Sequence, residues 1–146
     1  MTDPRTMNTQ MAARILGTPA EPVPEAGYAL RVVRTRGRRS GESRDTPIGV
    51  TRLHDRHYLV SPDPTRDWVR NLAATPECTV LAGSEAEPRT AVPADGEEAA
   101  SVVSTYLNAV TVPWALRAFP VAPDAPIEEI TAHLGSIAVF RLEDRS

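Results

Sequence analysis

Residues 28–61 read YALRVVRTRGRRSGESRDTPIGVTRLHDRHYLVS, and the spacing of apolar residues in this stretch decides the fold. YALRVVRTR (28–36) alternates apolar and basic residues around a β-branched centre, and DTPIGVTRLH (45–54) and RHYLVS (56–61) repeat the pattern. Such alternation predicts strands with one buried face. HDRH supplies a two-residue turn between the last two segments, so the three predicted strands form a β-meander. Downstream of Pro62 and Pro64, TRDWVRNLAATP puts Trp68, Val69 and Leu72 on one face of a helix that must end before Pro76, with Thr65 as its candidate cap. ECTVLAG and PRTAVPA read as a further strand pair. DGEEAASVVSTYLNAV follows as a helix, with Asp95 at its N-cap and acidic residues in its first turn. The stretch 111–135 is proline-punctuated, with one helical turn expected from Ile127 to His133, and SIAVFRLE reads as a final strand that closes the sheet. Toward the N-terminus, Met7, Met11, Ile15 and Leu16 fall at helical spacing before Gly17, and the prolines of TPAEPVPEAG make an extended connector. The expectation is a mainly β (α+β) chain: about six mostly antiparallel strands in a closed or half-closed barrel, with short helices packed outside.

The chain has 146 residues and a net charge of −3, and every one of its 16 basic residues is arginine. That length suits one domain, divided here into an N-terminal helix and connector (1–27) and the barrel domain (28–146). The acidic balance argues against a general nucleic-acid surface. A single cysteine, Cys78, permits no internal disulfide. With neither a signal peptide nor an apolar run of membrane-spanning length, a cytoplasmic location is expected, with peripheral membrane contact through the N-terminal segment left open.

Against that acidic background, RTRGRRSGESR (34–44) gathers five arginines in eleven positions. Gly37 and the Ser40-Gly41 pair are where the chain is expected to reverse, because glycine tolerates the positive φ of tight turns. Guanidinium groups hydrogen-bond phosphate and carboxylate oxygens in pairs, so Arg36, Arg38, Arg39 and Arg44 around Ser40 read as an anion site. The alternative is a solvated loop whose arginines pair with Glu42, Asp45 or Asp67. No aromatic residues interleave with the arginines as a nucleic-acid platform would require.

The run RVVRTRGRRSGESRDTP, then YLVSPDPTRDWVRNL, then a proline a few residues on, resembles the deazaflavin-dependent oxidoreductase (nitroreductase) family. The resemblance covers roughly residues 28–82 well and the C-terminal third weakly. It implies a split β-barrel like that of the flavin-binding pyridoxamine-phosphate oxidases. It implies the cofactor F420, a flavin-like ring with an anionic tail of phosphate, lactate and glutamates. In that family the GRxSG…R turn grips the tail, which falls here on Arg38, Arg39, Ser40 and Arg44. The segment leading to the tryptophan lines the cofactor, which falls on Ser61, Thr65, Arg66 and Trp68. Where family members often have a glycine turn this chain has SPDPTRD, which adds Asp63 and Asp67 and removes two backbone donors at Pro62 and Pro64. Trp68 reads equally as a core residue at helical spacing with Leu72.

Tyr106, Trp114 and Phe119 fall in or beside the irregular C-terminal stretch, where they line a substrate pocket or cover the barrel end as core. Met7 and Met11 present the same choice between packing and a lid, with Met11 the substrate candidate. Tyr106 is the candidate proton donor. His54 and His57 belong to a turn and lack the further ligands a metal site needs, so no metal is expected. His133 reads as a surface residue and Cys78 as a small buried hydrophobe.

The resemblance thus implies an F420H2-dependent reductase passing hydride to an electron-poor alkene, enone, quinone or nitro group of a small, perhaps polycyclic, molecule in secondary metabolism. A homodimer is the assembly it implies. The alternatives are a cofactor-free barrel that binds a small molecule or steers an isomerisation or cyclisation, and a binder of FMN or haem.

Overall fold

The computed structural model describes residues 4–145, with side chains from residue 8 onward. Helix α1 (Pro4–Leu16) leads through the connector into β1 (Gly27–Arg36), β2 (Ser43–Leu53) and β3 (Arg56–Ser61). Helix α2 (Asp67–Ala74), strands β4 (Glu77–Ala82) and β5 (Glu85–Pro93), and helix α3 (Gly96–Ala109) follow. The short helices α4 (Pro113–Arg117) and α5 (Ile127–Ala132) precede β6 (Ala138–Asp144). The strands close into a barrel in the order β1-β2-β3-β6-β5-β4, every neighbouring pair antiparallel. The final strand closes it by pairing with β3 on one side and β5 on the other. This is the split-barrel architecture the sequence leads one to expect.

Strand alternation sorts the side chains between two cores. Val33, Val50, Leu59 and Phe140 point into the barrel, where Trp68 and Leu72 of α2 join them. Tyr58, Val60 and Val139 point outward under α3 and the C-terminal segment, against Val102, Val103, Leu107 and Ile130. A third, small cluster of Ala12, Val32 and Leu81 seats α1 on the outer face of β1 and β4. Each fully buried Leu or Val contributes about 1.5–3 kcal/mol relative to exposure, so α3 and the inward strand residues carry most of the stability.

The HDRH turn is as expected: His54 (φ 53°) and Asp55 (φ 62°) both take the left-handed conformation of a two-residue hairpin turn. Other expectations need correction. Thr65 does not cap α2; the cap position is Arg66, with no side-chain hydrogen bond, because the Thr65 hydroxyl bonds Asp63 Oδ1 instead, at 2.6 Å. Asp95 does sit at the N-cap of α3, also without a side-chain bond. Of the hairpin glycines only Gly41 has positive φ (75°); Gly37 is needed for space, since a Cβ there would lie 3.0 Å from Ser40 Oγ. The proline-punctuated stretch holds one helix more than expected: Pro113 at the start of a helix loses no hydrogen bond, so 113–117 forms α4. The Met7 side chain lies outside the described residues.

The proline-rich connector is fastened at both ends. Val23 is buried in the barrel core and its carbonyl accepts from Arg52 Nη1 at 3.1 Å. The Glu25 carboxylate accepts from the His54 and Asp55 amides, each at 2.8 Å. Gly83, at φ 54°, passes so close to the connector that a Cβ would lie 2.9 Å from the Thr18 carbonyl oxygen.

Candidate cofactor and substrate site

The β1–β2 hairpin carries the arginines to one end of the barrel. At its tip the Gly37 amide donates to Glu42 O (2.7 Å) and the Gly41 amide to Gly37 O (2.9 Å). Two of the expected internal ion pairs form. Arg34 makes a two-pronged bond to Asp45 at 2.8 and 3.0 Å, and Arg38 Nη2 reaches Asp67 at 3.2 Å. Arg36, Arg39 and Arg44 make no ion pair among the described residues, and Ser40 Oγ accepts only the Glu42 amide, at 3.2 Å. The tip is therefore neither a neutralised loop nor five free charges: two arginines are tied to acids and three remain for a ligand.

Arg38 is fixed by a residue on α2. Asn71 is 4 % exposed, and its Oδ1 accepts from the Arg38 backbone amide at 3.2 Å and from Arg38 Nη1 at 2.9 Å. Its Nδ2 donates to the buried Thr35 hydroxyl at 3.4 Å. A buried amide needs partners for both ends, and here hairpin and helix supply them. Sequence reasoning passed over Asn71 as a helix residue. The signal was a lone polar side chain on the apolar face that Trp68, Val69 and Leu72 define.

The segment between β3 and α2 is organised around Asp63. Ser61, fully buried, donates its hydroxyl to Asp63 O at 2.8 Å. Asp63 Oδ1 accepts from the Thr65 amide and hydroxyl, and these bonds hold its carboxyl below the usual range, with Arg66 and Arg70 adding to the effect. The Trp68 ring is 6 % exposed and tilts against Phe140 at 6.2 Å inside the barrel. Of the candidates on this segment, Thr65 and Arg66 are exposed, while Ser61 and Trp68 are buried.

On the outer face of β1 and β2 an aromatic cluster faces α3. The Tyr106 ring lies 6.0 Å from Tyr28 and 5.4 Å from Phe119. Gly49 makes room for it: a Cβ there would lie 3.0 Å from the Tyr28 ring and 3.9 Å from that of Tyr106. Burial pushes the Tyr106 phenol up, Tyr28 adds to the rise, and the nearby Arg66 opposes it. The phenol is therefore protonated at neutral pH. Tyr28 and Gly49 were missed because their neighbourhood exists only once α3 folds over the sheet. Trp114, 70 % exposed on α4, and Met11, exposed on α1, make no ring contact with the cluster. Among the described residues no group of histidine, cysteine and acidic side chains has the makings of a metal site.

The unpaired guanidinium groups of Arg39 and Arg44, beside Ser40 and the anchored Arg38, suit a phosphate and carboxylates. Gly49 and the rings of Tyr28, Tyr106 and Phe119 pack against one another as an aromatic wall. The donor set therefore fits the anionic part of a ligand. Comparison with known proteins gives the class. A model of the F420H(2)-dependent quinone reductase family matches residues 6–122. The chain belongs to that family; it is an oxidoreductase, and its cofactor is F420. Among solved structures, an F420-H2 dependent reductase (FDR-A) is 26 % identical, covering 85 % of this chain and 100 % of its own, at a TM-score of 0.52. A domain-swapped dimer is 24 % identical over 97 % of this chain and 100 % of that one (TM-score 0.52). The heme binding protein from Mycobacterium smegmatis is 16 % identical over 97 % of this chain and 52 % of that one (TM-score 0.55). The last two show the fold alone. A search of curated proteins finds no match.

Proposed function

We propose that this reductase acts on a small conjugated acceptor, a quinone, enone, electron-poor alkene or nitro compound, as a tailoring or detoxifying step of secondary metabolism. The observation that carries the reading is the hairpin tip, where Arg39 and Arg44 stand unpaired beside the Asn71-anchored Arg38. Arg38, Arg39, Ser40 and Arg44 hold the phosphate and acidic tail. Thr65 and Arg66 border the ring, and the buried Ser61 and Trp68 set the course of the segment that carries them. F420H2 supplies a hydride to the acceptor. The chain's own part is to bind, orient and give a proton. Tyr106, held neutral by burial, donates its phenolic proton to the reduced acceptor, and Phe119 beside it selects the acceptor's shape. A homodimer is the assembly proposed, given the domain-swapped dimer among the similar folds.

The test is titration of the purified protein with F420 and, in parallel, FMN, followed by cofactor fluorescence. Saturable binding of F420 alone is expected. Replacing Arg38 and Arg39 together by alanine weakens it by a few kcal/mol, since a hydrogen bond to a charged group contributes about 1.5–3 kcal/mol. Unchanged affinity in the double variant would sink the assignment of the tip.

A further inference from the structure

A second cleft lies on the other side of the same hairpin. Strands β1 and β4 pair through only three register partners, ending at Arg34 and Thr79. Beyond that point the hairpin leaves β4, and a cleft of about 510 Å³ opens where the two splay apart. Arg34, Arg36, Ser43, Thr79 and Arg145 line it, and Gly41 joins it to the arginine tip described above. The volume falls within the range of small-molecule sites.

Its charges are not balanced internally. Arg34 is tied to Asp45, but Arg36 and Arg145 make no ion pair among the described residues. Strand alternation puts Arg34 and Arg36 on the opposite face of β1 from Thr35, with Ser43 directly across from Arg36. The chain just past β6 brings Arg145 to the cleft from a different part of the sequence, so Arg36 and Arg145 line one cleft through tertiary folding alone. The hydroxyls of Ser43 and Thr79 add donors, and Glu77 on the wall offers an acceptor. Arginine and hydroxyl donors with one carboxylate acceptor match a chain that carries both carboxylates and amide N–H groups.

We propose that this cleft is a second anion subsite, in which Arg36 and Arg145 bind the carboxylates of a flexible acidic peptide-like chain that enters past Gly41 from the arginine tip. The glutamates of the cofactor's tail are one source of such a chain and a free acidic oligopeptide is another; the first assignment rests on the cofactor reading above. The subsite binds remote from the reacting ring, so it sets affinity and preferred tail length and leaves the hydride step alone.

The experiment compares two forms of the cofactor, one ending at the lactate and one with five glutamates, on wild type and on the Arg36→Ala/Arg145→Ala variant. Both positions are exposed, so the variant folds, which urea unfolding checks. The variant is expected to bind the long form about tenfold more weakly and the lactate form unchanged, the loss shrinking in high salt. Equal losses for both forms, or none, overturn the proposal. Calorimetric titration with free γ-linked tetraglutamate separates the two sources. If wild type binds neither cofactor form, saturable tetraglutamate binding that disappears in the variant keeps the subsite and removes the cofactor reading. Absence of that binding as well overturns the subsite.

Discussion

Replacing Asn71 by alanine tests how the anion grip is held in place. The substitution removes three hydrogen bonds: two accepted from Arg38, one of them from its guanidinium, and one donated to Thr35. A neutral bond contributes about 0.5–1.5 kcal/mol net and one to a charged group about 1.5–3 kcal/mol, which sets an upper sum near 6 kcal/mol. Less than this should appear, because the Arg38 side chain is 21 % exposed and keeps its contact to Asp67. The Thr35 hydroxyl and the Arg38 amide, by contrast, lose partners inside the fold. The expected loss is about 2–3 kcal/mol, read in urea as a midpoint lower by about 1–1.5 M if the slope is near 2 kcal/mol/M. F420 affinity should fall as well, since Arg38 is no longer fixed beside Arg39 and Arg44. Asp67→Ala is the control: Asp67 is 88 % exposed, and its pair with Arg38 should be worth no more than about 0.5 kcal/mol. An Asn71→Ala protein with an unchanged urea midpoint and unchanged F420 binding would refute the view that α2 sets the hairpin's geometry.

Glu98 at the start of α3 accepts from Arg141 at 2.9 and 3.0 Å and from the Tyr58 hydroxyl at 2.8 Å. Burial alone would raise its carboxyl, but the bonds from Arg141 and Tyr58 outweigh it and hold the group below the usual range. A carboxyl lower in the folded than in the unfolded state stabilises above the unfolded value, about 4.3, and stops doing so as pH falls through the folded value. Urea midpoints should therefore show Glu98→Gln less stable than wild type at pH 7, with the gap closing below about pH 4; a gap independent of pH would refute this. Gly83→Ala should lower the melting temperature by an amount equivalent to about 1–3 kcal/mol, because a side chain at φ 54° would also meet the Thr18 carbonyl. Cys78, buried and with its thiol pushed up by burial to about 11, should resist iodoacetamide at pH 8 in the native protein and react on unfolding; rapid native labelling would show that the barrel end opens.

The chain's one-dimensional pattern was enough to place all six strands and the three longest helices, because strand alternation, the helical spacing of Trp68, Val69 and Leu72, and glycine or proline punctuation are local properties. The arginine tip was legible for the same reason: five like charges around two glycines are visible without a fold. Tertiary structure decided which charges are free. Asp45 neutralises Arg34 through strand register, Asp67 and Asn71 capture Arg38 across a helix, and Arg36, Arg39 and Arg44 are left for a ligand. It also sent the Trp68 ring inward against Phe140 and assembled Tyr28, Gly49, Tyr106 and Phe119 from three separate elements and the loop after α4. It brought Arg145 to the hairpin from the far end of the chain. Partners that lie dozens of residues apart leave no periodic trace, so the elements could be read from the sequence, while the free charges and the aromatic wall arise only when the barrel closes.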